Sequence, residues 1–151
     1  MKHPVIGFIS SSPPSDRKAS SGTAHAIAQQ LKGMGTLYWI PAPRSRYYRI
    51  MELVAKVLSR LFRKNISFGN TTLGAKTLAS GIKSDLFDKC DILVAFFTGS
   101  KLGYVDLKGK PLIYLSDATF SAMINYYPPF CRLWKWNIHQ GIVLEKKAMD
   151  K

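Results

Sequence analysis

The stretch "PVIGFISSSPPSDRKASSGTAHAIAQQLKGMGTLYWIPA", residues 4–42, decides the fold. Two apolar runs within it, at 5–9 and 36–40, have the length and composition of buried strands. Between the two runs lie a polar loop with two prolines and a helix-like segment, which Ser21 or Thr23 is predicted to cap. The order strand, loop, helix, strand predicts a βαβ unit, because parallel strands need a crossover between them.

The rest of the chain continues the alternation of strands and helices. Apolar runs at 91–97 and 112–116 are typical of buried parallel strands. Helices are predicted over three further stretches, 44–64, 71–89 and 130–151. The pattern predicts one α/β domain over 1–151, with a Rossmann-like, mostly parallel sheet flanked by helices. We expect the strands at 5–9, 91–97 and 112–116 to be adjacent and parallel.

Composition is that of a globular protein with an unusual charge. The chain has 151 residues, 46% of them apolar and 21% charged, which is enough for one packed core. No apolar run has the length of a transmembrane helix or of a signal-peptide core. The two cysteines, Cys90 and Cys131, are interpreted as reduced thiols, and the predicted location is the cytoplasm.

The excess of basic residues predicts a polyanionic partner. Lysine and arginine together number 22 against 9 acidic residues, which gives a formal net charge of +13. Such a charge favours nucleic acid, anionic lipid or phosphorylated ligands without choosing among them. No motif of a nucleic-acid-binding domain accompanies the charge, so nucleic acid is the least favoured of the three.

The stretch "KPLIYLSDATFSAMINYYPPF", residues 110–130, places a lone carboxylate at a strand end. In open α/β sheets, ligands bind beyond the carboxyl ends of the strands. Asp117 is therefore the candidate catalytic residue, and Thr119, two positions later, is a candidate for substrate binding. The alternative is that Asp117 only caps a helix that begins near Phe120.

A second candidate site opens the first predicted helix. Ser21, Gly22 and Thr23 would lie at the helix N-terminus, where backbone N–H groups attract phosphate and a glycine permits close approach. The segment matches neither the GxGxxG nor the GxxxxGK[ST] fingerprint. The alternative is an ordinary helix start after a flexible loop.

A basic amphipathic helix is predicted over 44–64. Most of its apolar residues share one side, and seven basic residues against one acid give this stretch a charge of +6. The candidates for membrane or anion contact are four basic residues, Arg49, Lys56, Arg60 and Arg63. A helix of this kind can lie in an anionic membrane interface. The alternative is an outer helix whose apolar side packs on the sheet.

With these motifs in place, the chain resembles the N-terminal half of a retaining group-1 glycosyltransferase of the GT-B fold. The resemblance rests on "SSGTAH" at the first helix and on "KPLIYLSDATFSAMINYYPPF" with its Asp-Ala-Thr-Phe turn. The segment "KWNIHQGIVLEKKAMDK" is similar to the helix that follows in that class. The likeness covers nearly the whole chain. Members of the class are about twice as long, since a second Rossmann-like domain carries most of the donor site.

The resemblance implies transfer of a sugar from a nucleotide-diphosphate donor to an acceptor hydroxyl, with retention and without a metal or other cofactor. Asp117 would face the reacting sugar and the acceptor, and Ser21, Gly22 and Thr23 would lie near the diphosphate or the acceptor. The implied partners are the nucleotide sugar, a carbohydrate or lipid-linked acceptor and the absent C-terminal donor domain, without which the chain is expected to be inactive. The alternative function is a non-catalytic α/β module that binds a polyanion or the inner face of a membrane.

Overall fold

A computed structural model describes residues 3–96 and 99–151. Its described part is an α/β fold built on a four-stranded sheet in which every strand pairing is parallel. The strands are β1 (Val5–Ser10), β2 (Thr36–Pro41), β3 (Ile92–Phe96) and β4 (Leu112–Leu115). The predicted Rossmann-like fold class is therefore confirmed.

The strand order β2-β1-β3-β4 places the first strand inside the sheet. Residue Ile6 pairs with Leu37 of β2 on one side and with Ile92 of β3 on the other. The strands predicted at 5–9, 91–97 and 112–116 are thus adjacent and parallel, as expected. Residue 97, the last of the third predicted strand, lies outside the described residues.

Helices cover both faces of the sheet. They are α1 (Thr23–Met34), α2 (Arg46–Phe62), α3 (Thr72–Ala79), α4 (Gly99–Leu102), α5 (Phe120–Met123) and α6 (Lys135–Met149). One face packs on α1, with Phe8 and Val94 of the sheet buried beside Ala24 and Ala28. The other face carries the larger core, in which Ile9 and Leu93 of the sheet are buried with residues of α3, α4 and α6.

The N-cap residue of the first helix lies one position away from each of the two predicted caps. Gly22 is the N-cap residue of α1, and its φ of +83° is a left-handed conformation that glycine adopts without steric cost. The predicted capping by Ser21 or Thr23 is therefore wrong. Ser20 and Ser21 are also left-handed and form a 3₁₀ turn over Ala19–Gly22, so the chain enters the helix from an irregular turn.

The predicted helix 71–89 is two shorter elements. The helix α3 ends at Ala79, and a separate 3₁₀ segment covers Ser84–Lys89. The break includes Gly81, whose Cα lies against the Pro43 carbonyl oxygen, a contact that a larger residue would crowd. Glycine also lowers helix propensity, and this weakens the helix where tertiary contact favours a turn.

The last helix starts later than predicted, and it continues through Gly141 without a break. Two prolines form a 3₁₀ turn over Pro128–Phe130, and α6 begins only at Lys135. Gly141 lies inside α6 because its bare Cα faces the ring of Phe120, and a Cβ there would overlap that ring. The glycine therefore serves close packing between α5 and α6.

The observed packing of α2 contradicts the alternative in which its apolar side packs on the sheet. Its buried side chains are Tyr48 and Ala55, which pack on Phe68 and Leu78. Its large apolar residues are mostly exposed: Ile50, Leu53, Val54, Val57, Leu58, Leu61 and Phe62. The physical reason is that other helices already cover the sheet, so α2 sits at the margin of the fold.

Candidate functional site

A cleft of about 1050 Å³ opens at the carboxyl edge of the sheet. Residues that follow three of the strands line it: Ser11 after β1, Lys101 after β3 and Asp117 after β4. Parallel strands bring these loops together because all their carboxyl ends meet at one edge. The cleft therefore lies at the edge where the sequence predicted ligand binding.

The lining of the cleft is predominantly cationic. Its basic residues are Arg44, Lys56, Arg60, Arg63, Lys101 and Arg132, and its acidic residues are Glu52, Asp117 and Glu145. Glu52 forms ion pairs with Arg44 at 3.6 Å and with Lys56 at 3.9 Å, so part of this charge is balanced internally. The remaining excess favours an anionic ligand.

Asp117 lies exposed on the wall of this cleft. It is not a helix cap: the N-cap residue of α5 is Thr119, whose hydroxyl accepts a hydrogen bond from Ala122 N at 3.2 Å. Ser116 Oγ donates to Ala118 O at 2.9 Å and closes the turn around the carboxylate. The capping interpretation of Asp117 is thus wrong, and its carboxylate faces a space that a ligand can occupy.

Thr119, which the sequence suggested for substrate binding, has a structural role. Its hydroxyl oxygen is engaged as the α5 cap. Within the described part of the chain, the residues that line the cleft include Asp117, Ala118 and Phe120 but not Thr119. Its contact with substrate stays a prediction.

Ser21, Gly22 and Thr23 lie between β1 and α1, and their place on the same rim as Asp117 stays a prediction. The cleft itself reaches Ser11 of that loop, while these three residues are outside the described lining. No side chain caps α1 within the described residues, so its first-turn N–H groups have no side-chain cap there. The loop is anchored by His25, whose Nδ1 donates to Pro14 O at 2.8 Å.

Glu145 is a cleft residue that the sequence reasoning missed. It lies on α6, far along the chain from the β4 turn, and its Oε1 accepts a hydrogen bond from Phe120 N at 2.6 Å. The carboxylate therefore holds the start of α5, two residues after Ala118 in the turn that carries Asp117. Only the packing of α6 on α5 brings it there, and no local pattern marks it.

Lys101 is the second residue that was missed. It is only 5% exposed, and its Nζ donates to Ser11 Oγ at 3.1 Å and to Ala42 O at 3.5 Å. Burial, and to a smaller extent the nearby Arg44, lower its pKa to about 8. Its place in the first helix after a buried parallel strand was a usable signal, because the rule that selected Asp117 also points to segments that follow such strands.

The four predicted membrane or anion contacts separate into two groups. Lys56, Arg60 and Arg63 line the cleft, whereas Arg49 is exposed outside its described lining. The basic side of α2 is therefore largely one wall of the cleft. Tyr48 lines the same wall, and burial raises the pKa of its phenol, with Glu52 adding to the effect and Arg44 opposing it.

The apolar side of α2 borders a separate groove of about 530 Å³. Met51, Val54 and Leu58 form one bank of the groove. Leu73 of α3 and Trp136 of α6 contribute to the other. The groove continues the exposed apolar stripe of α2, in which Leu61 is 71% exposed and Leu53 is 62% exposed. This is a contiguous apolar surface, a feature that marks interaction sites in proteins.

Three features of the described residues bear on cofactors and membranes. No helix there is long and apolar enough to cross a bilayer. No group of three or more histidine, cysteine or acidic side chains comes together as a metal site within 3–96 and 99–151. Cys90 and Cys131 are both free thiols, and burial raises the pKa of Cys90.

No protein-family model, no curated protein and no solved structure matched this chain.

Proposed function

We propose that this domain is the acceptor side of a retaining glycosyltransferase that uses a nucleotide-diphosphate sugar. The observation that carries the proposal is the exposed Asp117 carboxylate on the wall of a cationic cleft at the carboxyl edge of a parallel sheet. Sugar transfer needs an acidic group near the reacting hydroxyl, together with cations near the leaving diphosphate. The cleft offers both kinds of group in one space.

Each part of the site would have a distinct task. Asp117 would orient the acceptor hydroxyl or stabilise positive charge that develops on the sugar. Arg60 and Arg63, which also line the cleft, would attract the phosphates. The uncapped start of α1 after Gly22 would add backbone donors for the diphosphate. A second α/β domain, closing over this edge, would supply the remaining donor contacts.

The test is sugar transfer by the native assembly that contains this chain. A tagged copy is purified with its partners and incubated with labelled uridine, guanosine and adenosine diphosphate sugars and a lipid and oligosaccharide extract. We expect Asp117→Asn to reduce product formation by about a hundredfold or more, because an oriented acid–base group is lost. Folding of the variant is checked by circular dichroism and thermal melting.

The matched control is Asp85→Asn, which removes an exposed carboxylate outside the described lining of the cleft. This control should keep wild-type turnover. The isolated 151-residue chain should show no appreciable transfer, since most donor contacts would be missing. Wild-type turnover in Asp117→Asn, or robust turnover by the isolated chain, would contradict the proposal.

A second candidate function is attachment to an anionic membrane surface through α2. The observation that favours it is the exposed apolar stripe of that helix, with Arg49 beside it and a basic cleft wall behind it. Apolar burial in the interface and attraction to anionic headgroups would act together. This attachment is compatible with sugar transfer, since a lipid-linked acceptor is reached at the same interface.

Vesicle sedimentation tests this attachment. Wild-type protein should bind vesicles of phosphatidylcholine with phosphatidylserine at low salt and bind pure phosphatidylcholine weakly. Arg49→Glu should weaken binding to the anionic vesicles in a salt-dependent way, because each cation near the surface contributes about 1 kcal/mol. A Val57→Ser, Leu61→Ser double variant should weaken it at every salt concentration, since it removes apolar burial.

Two controls match these changes in chemistry. Lys32→Glu reverses a charge in the last turn of α1, and Met34→Ser removes an apolar side chain that is 67% exposed at the same helix end. Both should bind vesicles like the wild type. Equal losses in the controls and the α2 variants would mean that net charge or general hydrophobicity, and no specific surface, attracts the protein.

A further inference from the structure

Lys101 is a buried cation for which the described chain supplies no negative partner. Its Nζ donates to a hydroxyl and a carbonyl, Ser11 Oγ and Ala42 O, both of which are uncharged. None of the ion pairs within residues 3–96 and 99–151 includes it. Burying an ammonium group without a carboxylate is costly, because the group loses its water shell.

Burial lowers the pKa of Lys101, and its position at the cleft suggests a use for the charge. Burial and the neighbouring Arg44 lower the pKa of Lys101 to about 8, so the side chain is still mostly protonated at neutral pH. It also lines the open cleft, where a ligand can reach it. A buried ammonium group that lines a cleft is more typical of a functional site than of a residue that stabilises the fold.

Two more donors stand at the same end of the cleft. Arg44 lines it with a guanidinium group that has five N–H donors, only part of which the Glu52 ion pair at 3.6 Å engages. Ser11 is exposed and lies within hydrogen-bond distance of the Lys101 ammonium. We propose that Lys101, Arg44 and Ser11 form a subsite for a phosphate oxyanion of the ligand.

Charge and geometry favour phosphate over a carboxylate. Two neighbouring cations, of which Arg44 lowers the pKa of Lys101, are best balanced by a group with about two negative charges and three acceptor oxygens. The phosphate could belong to a soluble diphosphate or to a lipid headgroup. The inference does not depend on sugar transfer, because binding to the chain alone tests it.

Isothermal titration calorimetry on the full 151-residue chain distinguishes the two sources. One arm uses inorganic pyrophosphate, and the other uses dihexanoyl phosphatidic acid below its micelle concentration. We expect the wild type to bind at least one probe and Lys101→Met to weaken that binding about tenfold or more, because a desolvated charge contact is lost. Tighter binding of pyrophosphate assigns the subsite to a soluble diphosphate, and tighter binding of the lipid assigns it to a headgroup.

The control is Lys32→Met, which removes the same charge from the exposed end of α1 and should keep the wild-type affinity. If Lys101→Met fails to fold, Ser11→Asp gives a second test, since it supplies a carboxylate beside the ammonium and should block the anion. Ser116→Asp, which adds the same charge at the β4 end of the cleft, should weaken binding less. Absence of binding by the wild type, or unchanged binding in Lys101→Met or Ser11→Asp, would overturn the subsite.

Discussion

Helices α2 and α6 are of similar length and lie outside the sheet, yet they use their faces in opposite ways. Along α6, Asn137, Gly141, Leu144 and Ala148 follow the helical repeat and are all buried. Along α2, the apolar residues follow the same kind of repeat and are mostly exposed. The comparison teaches that amphipathic spacing predicts a helix reliably, but does not predict which side of it packs.

The difference arises from what each helix meets. Helix α6 inserts a polar anchor, Asn137, whose side chain accepts from Ser67 N at 2.7 Å and donates to Asn70 O at 3.2 Å. It also approaches α5 closely through Gly141. Helix α2 approaches the body of the protein with the small Ala55 and with Tyr48, and its larger apolar side chains point away. The buried face of α2 is therefore formed by Tyr48 and Ala55 and not by its exposed apolar stripe.

The largest expected effect is on the free energy of unfolding, when a buried leucine of α6 and an exposed leucine of α2 are each replaced by alanine. Leu144→Ala in α6 should lower the free energy of unfolding by about 2–5 kcal/mol, because it leaves a cavity at a site that is 2% exposed. Leu61→Ala in α2 should change it by less than about 0.5 kcal/mol, because that side chain is already in water. Urea denaturation measures both. Equal costs would mean that the stripe of α2 is covered in solution.

The second prediction concerns the pKa of Lys101. Its helix, α4, packs beside α6. Arg44, which contributes to lowering this pKa, lies just before α2. The pKa of Lys101 is about 8 in the folded chain against 10.5 for the unperturbed group. Between these values the unfolded state binds more protons, so this group makes stability rise with pH, by about 3 kcal/mol in all. Below pH 8 both states are protonated and the contribution is constant.

The measurement is the free energy of unfolding of wild type minus that of Lys101→Met, from urea melts between pH 7.5 and pH 10.5. Taking the difference matters because Cys90 and Tyr48, whose pKa values are raised by burial, lower stability as pH rises in both proteins. The difference should increase with pH. A flat difference would show that Lys101 titrates like an exposed lysine.

The smallest expected effect concerns how each helix begins. Ser45 Oγ accepts from Tyr48 N at 3.1 Å and caps α2, whereas Trp134 begins α6 without a side-chain cap. Because α2 has little buried surface, its cap should carry more of its stability. Ser45→Ala should cost about 1 kcal/mol in urea denaturation. The exposed Ser15→Ala is the control, and an equal loss there would rule out capping as the cause.

Much of the fold could be predicted from the sequence. The four strands were placed to within a residue or two, because continuous apolar runs between turns admit few other structures. Helix ends were less accurate, since the start of α6 depends on a proline turn and the end of α3 on contact with Pro43. The Asp117 position followed from the rule for parallel sheets, and its exposure on the cleft agrees with that rule.

Local sequence patterns were enough to predict the parallel α/β sheet and the edge at which Asp117 lies, because the apolar runs of the strands and the βαβ crossover are local in origin. That Glu145 and Lys101 join the cleft, and that the apolar side of α2 stays uncovered, depends on how the distant elements pack together. The reason is that several helices are amphipathic while the sheet surface that can be covered is limited. Which helix covers it depends on the whole fold, and the residue pattern of a single helix does not contain that information.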